Sequence, residues 1–482
     1  MGVLSELQPK KVFEYFEEIC NIPHGSGNVE QISDYLVKFA KDRNLEVIQD
    51  EFKNVIIIRE ATPGFENEPA VIIQGHMDMV AVHKPELCID MTKEPLKVGI
   101  DGDNIYAEGT SLGGDDGIAV AYALAILDSN ELSHPRLEVV ITVDEEVGMD
   151  GARGIDLSML KGNRLLNLDS EEEGIFWVSC AGGGRIGSIL EYEASEMAGV
   201  VYQLTISGLT GGHSGAEIHK ERGNSNILCG RFLWKLASKV SFGLISTKGG
   251  VADNAICRET IAEIVLNKED VFAFTEAVKA FEAEIKVELA TKDSGVYVKA
   301  EALGTDTKKC VCGESLKRVC ALLYSLPNGV QAMSADIAGL VETSLNMGIL
   351  EITPEKFLAE FAVRSSVESA KYALVDKVKA VTALAGGYTE ETGDYPGWAY
   401  RVDSPLRDKM AALYEEMYGE KPQIAAIHAG LECGLLAGKI DDLDCVSFGP
   451  NMKDIHTTEE TLSISSTRRV WEFLVQLLAK RG

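Results

Sequence analysis

Five short segments carry side chains able to hold divalent metal ions. They are Gly75-His76-Met77-Asp78, Gly114-Asp115-Asp116-Gly117, Asp144-Glu145-Glu146-Val147-Gly148, Asn167-Leu168-Asp169-Ser170 and Lys453-Asp454-Ile455-His456. Imidazole nitrogens mixed with carboxylate oxygens are donors that zinc, cobalt and manganese accept. His76 needs an acceptor for its second ring nitrogen, and Asp78, two residues on, is placed to orient it. Asp115 and Asp116 stand between glycines that let the backbone turn sharply. Either aspartate could bridge two ions about 3.5–4 Å apart, or both could act as acidic caps on the helix that follows. Adjacent Glu145 and Glu146 at the end of an apolar strand repel unless a cation is near. The natural division gives one to the metal and leaves the other as general base. Asp169 closes Leu165–Leu168 in the same way, whereas Glu171-Glu172-Glu173 reads as a solvated face. His456 follows Ser447-Phe448-Gly449-Pro450, a further strand end. Taken singly, each segment has an ordinary structural reading; the order and number of the five carry the argument.

Alternating strands and helices must position these groups. Residues 9–43 read as amphipathic helix broken by the loop 23–28. Strands are expected at 55–59, 70–74, 137–143 and 164–168, and a buried alanine-rich helix at 117–128. This is an α/β sheet with the candidate ligands just past the carboxyl ends of its strands, where open α/β sheets place ligand sites. Past residue 186 the pattern changes. Strand 201–207, helix 223–238, β-like 255–265 and helix 271–289 are followed by strand 296–302, helix 314–325, hairpin 342–364 and helix 370–385. That order reads as a duplicated α/β unit of roughly 100 residues, two ferredoxin-like repeats. Pro396-Gly397-Trp398 marks the return. The expected organisation is a catalytic domain in two pieces, 1–186 and 391–482, with a lid at 187–390 inserted.

Composition bounds the rest. The chain has 482 residues and a net charge of −29. The charge excludes nucleic acid and anionic membrane as partners. The longest apolar run, Gly117–Leu127, is too short to span a bilayer. No signal core or myristoylation pattern opens the sequence. Ten scattered cysteines, with Cys310-Val311-Cys312 the closest pair, fit reduced thiols in a cytoplasmic protein. Gly182-Gly183-Gly184-Arg185-Ile186-Gly187 matches G-x-G-x-x-G, but strand rather than helix follows it, so it reads as a hinge into the lid. Cys433 reads as a packed thiol, because metal-activated water already supplies a nucleophile.

The stretches GHMDMV, SLGGDDGIA, DEEVGMDGA, NLDSEEEG, GGHSGAEIH, HAGLECG and FGPNMKDIH resemble the M20 metallopeptidases over essentially the full length. Within that family they are most similar to the aminoacyl-histidine (Xaa-His) dipeptidase group. The resemblance implies a zinc-peptidase-like catalytic domain and two divalent ions, zinc with cobalt or manganese as alternatives. It implies that His76, Asp115 and Asp169 bind one ion and Asp115, Glu146 and His456 the other. Glu145 would be the general base, and Asp78 would orient His76. This sequence has Asp115-Asp116 where the group often has Asp-Asn; the spacing from Gly113 favours Asp115 as the bridge.

In the lid, His213 resembles the family histidine that polarises the scissile carbonyl, and Arg364 the arginine that receives the substrate carboxylate. Asn254 and His428 are further candidates for the substrate site. Glu432 could meet an amino group or simply begin a helix. The implied activity is hydrolysis of dipeptides, Xaa-His dipeptides foremost, with a broader dipeptidase, an amino-acid deacylase or a non-catalytic peptide-binding relative as alternatives. A small peptide is the expected partner. The chain is expected to be a monomer or homodimer, with His213 serving its own chain.

Overall fold

The computed structural model describes residues 2–481, and every count below refers to them. They form two compact units. The first takes residues up to Ser179, Tyr400–Ala426 and the stretch from Leu431 onward. The second takes Cys180–Ala399 and Ile427–Gly430. The divisions differ from those expected at 186 and 390 because Gly182–Glu191 is a strand, not a hinge. It pairs along its length with Lys356–Ser365 and, on its other side, with Tyr388–Tyr395. Its glycines serve close approach: a Cβ on Gly182 would lie 2.3 Å from the Gly397 nitrogen.

The first unit is built on a mixed eight-stranded sheet flanked by helices, as the α/β pattern leads one to expect. Its order is Glu46–Gln49, Val55–Arg59, Leu137–Thr142, Val71–His76, Arg164–Asn167, Asp444–Ser447, Ile175–Cys180, Gln423–Ile427. Leu137–Thr142, Val71–His76, Arg164–Asn167 and Asp444–Ser447 run parallel at its centre. Val71–His76 and Leu137–Thr142 are buried at every residue, which is why they read as continuous apolar runs rather than alternating ones. The helix Gly114–Asp128 is buried at all positions but its last. A helix apolar all round can only be internal. It packs on Val71–His76 and on Lys10–Cys20, where Gly117 leaves room for the Phe16 ring.

A second, four-stranded sheet joins Met452–Lys453, Thr461–Ser463, Asn104–Ala107 and Val98–Asp101. Its strands of two to four residues are too short to show a period in sequence. His456 lies in the loop between the first two of them, with φ 63°. It therefore comes from a hairpin loop, not from a strand end of the main sheet. Asp115 stands at a helix start. His76 ends a central strand, and Glu145, Glu146 and Asp169 follow central strands.

The second unit is a nine-stranded sheet containing two βαββαβ halves. In one half the strands are Ser195–Ser207, Phe242–Gly249, Thr260–Leu266 and Tyr297–Cys310, lying across the sheet in the order 4-1-3-2. In the other they are Gly182–Glu191, Val341–Ile352, Lys356–Ser365 and Tyr388–Tyr395, in the order 2-3-1-4. The halves are nested, not in tandem: the whole of one is inserted after the first strand of the other. Residues 297–310 thus complete the inserted half, where the sequence pattern made them open a second repeat. Within the sheet the two halves join through three residue pairs, Thr247–Gly249 on Leu350–Ile352.

Candidate metal centre

His76 ends a central strand with both ring nitrogens engaged. Nδ1 lies 3.0 Å from the Asp78 carbonyl oxygen and 3.5 Å from its Oδ1. Nδ1 is thereby the protonated nitrogen, leaving Nε2 to face 3.2 Å towards Asp115 Oδ1 and 3.8 Å towards Asp169 Oδ1. Asp78 is itself held. Its Oδ2 accepts from the Ser26 hydroxyl at 2.8 Å, and its Oδ1 accepts from the Glu145 backbone N–H at 3.2 Å.

Asp115 stands between the two histidines. One oxygen is 3.2 Å from His76 Nε2, the other 3.2 Å from His456 Nε2. The turn that presents it begins at Gly113, whose φ is 70°. The Asp115–Asp116 peptide is cis. Glu460 holds this turn: its carboxylate accepts the backbone N–H groups of Leu112, Gly113, Gly114 and Asp115 at 2.8–3.4 Å. Asp116, the neighbouring aspartate, contacts the His76 backbone. Its Oδ2 accepts from the His76 backbone N–H at 3.2 Å, and its Oδ1 is buried without a partner.

His456 Nε2 is also 2.8 Å from Glu146 Oε1. That contact lacks hydrogen-bond alignment, and Glu146 Oε1 is buried without a hydrogen bond. Two donors converging on a common point, not on each other, have this geometry. Ligand atoms about 2.1 Å from a tetrahedral ion lie about 3.4 Å apart, close to the separations seen here. The ligand atoms of Asp115, Glu146 and His456 lie within 4.8 Å of one another, as do those of His76, Asp116 and Asp169 and of His76, Glu145 and Glu146. His76, Asp115 and Asp169 meet pairwise through His76 and form no such tight triplet. The residues fit two divalent cations, which would balance the four charges of Asp115, Glu145, Glu146 and Asp169.

The electrostatics agree. Burial pushes the Asp115 carboxyl up, yet the bonds and charges of His456 and His76 outweigh it and hold it below the usual range. His456 is raised to about 10 by Asp115 and Glu146. Burial lowers His76, but Asp115, Asp78 and Asp169 carry it well above its ordinary value. Without metal, protons on the two imidazoles supply the positive charge the carboxylates demand. Metal binding would displace them. Burial raises Glu145 to about 7, with Glu146, Asp115 and Asp78 adding to it and His76 opposing. Burial and neighbouring carboxylates raise Asp169 well above its ordinary value.

Beneath the ligands lies a polar layer. Glu432 is fully buried, and its Oε2 accepts from Gln74 Nε2 at 2.6 Å and the Thr142 hydroxyl at 2.7 Å. Gln74 Oε1 accepts from Asn167 at 2.5 Å. Glu432 begins the helix Glu432–Ala437 and is not open to a substrate amine. Of its two sequence readings, the helix start is the one observed. Cys433 is likewise buried, its thiol pushed up by burial and by Cys445 beside it. All ten cysteines are free.

The second unit gathers the other candidates. Backbone N–H groups of Gly215 and Ala216 donate to His213 Nδ1 at 3.2 and 3.0 Å. This fixes the tautomer with the proton on Nε2. Burial and Arg364 keep His213 below its ordinary value and neutral. Arg364 donates from Nη1 to the Tyr395 hydroxyl at 3.2 Å, while its buried Nε has no partner. His428 Nε2 is 2.7 Å from Ser344 Oγ; burial, with Arg364 and His213 nearby, lowers it to about 3. Gly215 lets these groups converge. A Cβ there would lie 2.5 Å from the His428 carbonyl oxygen and 3.0 Å from both Arg364 Nε and His213 Cε1. Asn254 is exposed and touches this cluster through its backbone carbonyl, which accepts from Ser214 N–H at 2.8 Å. Ser26, Glu460 and Tyr395 escaped the sequence reading, since each acts by a contact with residues distant in the chain.

Comparison with known proteins gives four findings. The model for "Peptidase family M20/M25/M40" matches residues 72–480. The cytosol non-specific dipeptidase of Escherichia coli (strain K12) is 38% identical over 480 residues, 99% of each chain. The crystal structure of aminoacylhistidine dipeptidase from Vibrio alginolyticus superposes with a TM-score of 0.94 at 37% identity, covering 100% of this chain and 98% of that one. Aminopeptidase PepT from Bacillus cereus ATCC 10987 shares the fold, with a TM-score of 0.57 at 15% identity over 98% of both chains.

Proposed function

The chain belongs to peptidase family M20/M25/M40, and on that premise we propose a metallo-dipeptidase that hydrolyses dipeptides with a free C-terminal carboxylate, Xaa-His dipeptides foremost. The substrate label rests on the two relatives, named as a non-specific and an aminoacylhistidine dipeptidase. A cytosolic location rests on the first of those names. No helix among the described residues is long and apolar enough to cross a membrane.

His76, Asp115 and Asp169 would hold one ion; Asp115, Glu146 and His456 would hold the other. Zinc is the metal proposed, since imidazole and carboxylate donors suit it; cobalt and manganese suit the same set. Two ions bound there would supply Lewis-acid activation of water and of the scissile carbonyl. Asp78, fixed by Ser26, keeps the His76 tautomer that leaves Nε2 free. Glu145 takes the proton of the attacking water and passes it to the leaving amine, and a carboxyl raised towards neutrality suits both transfers. His213 donates its Nε2 proton as a hydrogen bond to the carbonyl oxygen as charge develops. Arg364, with Nε unpartnered, receives the substrate carboxylate, which limits the peptide's length. His428 stays neutral and takes part in substrate binding through its cluster with Arg364. Asn254 is assigned to the same binding region.

The single observation that carries this reading is Asp115, with one oxygen 3.2 Å from each of two histidine Nε2 atoms. The test is a panel of dipeptides, tripeptides and N-acetyl amino acids, before and after chelation. Dipeptides should be cleaved fastest and chelation should abolish turnover. Preferred cleavage of N-acetyl amino acids would make the chain a deacylase instead.

A further inference from the structure

Three of the proposed metal ligands, His76, Glu146 and Asp169, lie at or just past the carboxyl ends of central strands. A cavity of about 230 Å³ opens at the amino ends of two of the same strands, Val71–His76 and Arg164–Asn167. It lies wholly within the first unit, between those strands and the helices Pro405–Tyr418 and Ile464–Ala479. Its floor is apolar, formed by Val71, Leu166, Leu406 and Leu477. Its rim is basic: Arg164, Lys409, Lys480 and Arg481, against the one lining carboxylate of Glu68. In a chain of net charge −29, four cations about one apolar cavity are out of keeping with the surface as a whole.

Two rim cations are already engaged. Lys480 pairs with Glu416 at 2.8 Å, and the Arg481 guanidinium lies 4.9 Å from the Phe65 ring centre. The other two are not neutralised. Lys409 spends one of its three donors on the Lys480 carbonyl oxygen, and Arg164 has no side-chain hydrogen bond or ion pair among the described residues. Burial lowers the Lys409 ammonium, and the charges of Arg164 and Lys480 lower it further, with Glu68 partly offsetting them. Cations that repel one another beside an apolar chamber are complementary to an anion with an apolar tail.

We propose that this cavity binds an apolar monocarboxylate, its carboxylate held between Arg164 and Lys409 and its tail on the leucine floor. At about 30 Å³ per water-sized group, the chamber takes a tail of roughly six to eight heavy atoms. Guanidinium and ammonium both suit a carboxylate, Arg164 in two-point contact. The same cations repel an α-ammonium group. Zwitterionic dipeptides and amino acids are therefore excluded, which separates this site from the one that handles substrate.

The test is calorimetric titration of the full-length, metal-loaded protein with octanoate, with octylamine as the charge-reversed control. Octanoate should bind saturably at one per chain, and octylamine should not bind. Arg164→Gln and Lys409→Gln should each weaken octanoate at least about tenfold, and Leu406→Trp should fill the chamber and abolish binding. Thermal unfolding confirms that each variant is folded, and the two polar variants decide the matter where the tryptophan variant is not. Arg364→Gln, in the second unit, should leave binding unchanged. Absence of saturable binding, equal binding of octylamine, indifference to Arg164→Gln and Lys409→Gln, or loss in Arg364→Gln would each overturn the proposal.

Discussion

Glu432 accepts a 2.6 Å hydrogen bond from Gln74 in a setting closed to solvent. Gln74 precedes His76 by two residues. Thr142, the second donor to Glu432, precedes Glu145 by three, and Asn167, bonded to Gln74, precedes Asp169 by two. One carboxyl thus ties together the strand ends that deliver three of the candidate groups. Burial, with the Glu145 charge adding and Thr142 and Gln74 opposing, raises Glu432 to about 8. This favours the neutral acid at pH 7.

Glu432→Gln should therefore be mild, since an amide oxygen can still accept from both donors. Glu432→Ala should cost about 1–3 kcal/mol by stranding the Gln74 and Thr142 donors, and should weaken metal retention. Thermal unfolding and metal content after dialysis check this. A glutamine variant as damaged as the alanine one would mean that an ionised carboxylate is required.

The two adjacent aspartates should separate cleanly. Asp115→Asn should lose metal, because both its oxygens face histidine nitrogens. Asp116→Asn should keep both ions, because its Oδ2 is committed to the His76 backbone. Metal content per folded chain decides. The reverse outcome would make Asp116 the bridge.

Gly215→Ala should raise KM at least about tenfold while leaving metal content unchanged. The added carbon would meet His428, Arg364 and His213 at 2.5–3.0 Å, all at the proposed substrate cluster and none a metal ligand. Unchanged steady-state kinetics would show that this convergence is not used.

His428 gives a pH dependence of stability. Its folded pKa is about 3, against about 6.5 when unfolded. Between these values the unfolded chain binds a proton that the folded chain does not. Stability from this group is complete above about pH 6.5 and falls as pH drops. At pH 5 the loss is about 1–2 kcal/mol. His428→Gln should flatten that part of the unfolding profile between pH 7 and 5. An identical slope in both proteins would remove His428 from the account.

Sequence made the central strands and the ligand order legible for a physical reason. Val71–His76 and Leu137–Thr142 are covered on both faces, so they appear as apolar runs ended by polar groups. Local pattern could not reveal Glu460, which cradles a turn about 345 positions earlier. Nor could it reveal the four-stranded sheet whose loop carries His456. The glycines of Gly182–Glu191 suggested a hinge, yet they allow the tight packing of an inner strand of the second unit's sheet. Taking that strand for a hinge also hid the nesting of the two halves of the second unit.

The central claim is that one chain holds two catalytic divalent ions with Glu145 as the base beside them. The most direct measurement compares wild-type and Glu145→Gln protein, each reconstituted with zinc, for metal content and for hydrolysis of an Xaa-His dipeptide. Both should hold two ions per chain, with turnover in the variant lower by about 10²–10⁴-fold. Near-normal turnover in the metal-loaded variant, or fewer than two ions in active wild-type protein, would contradict it.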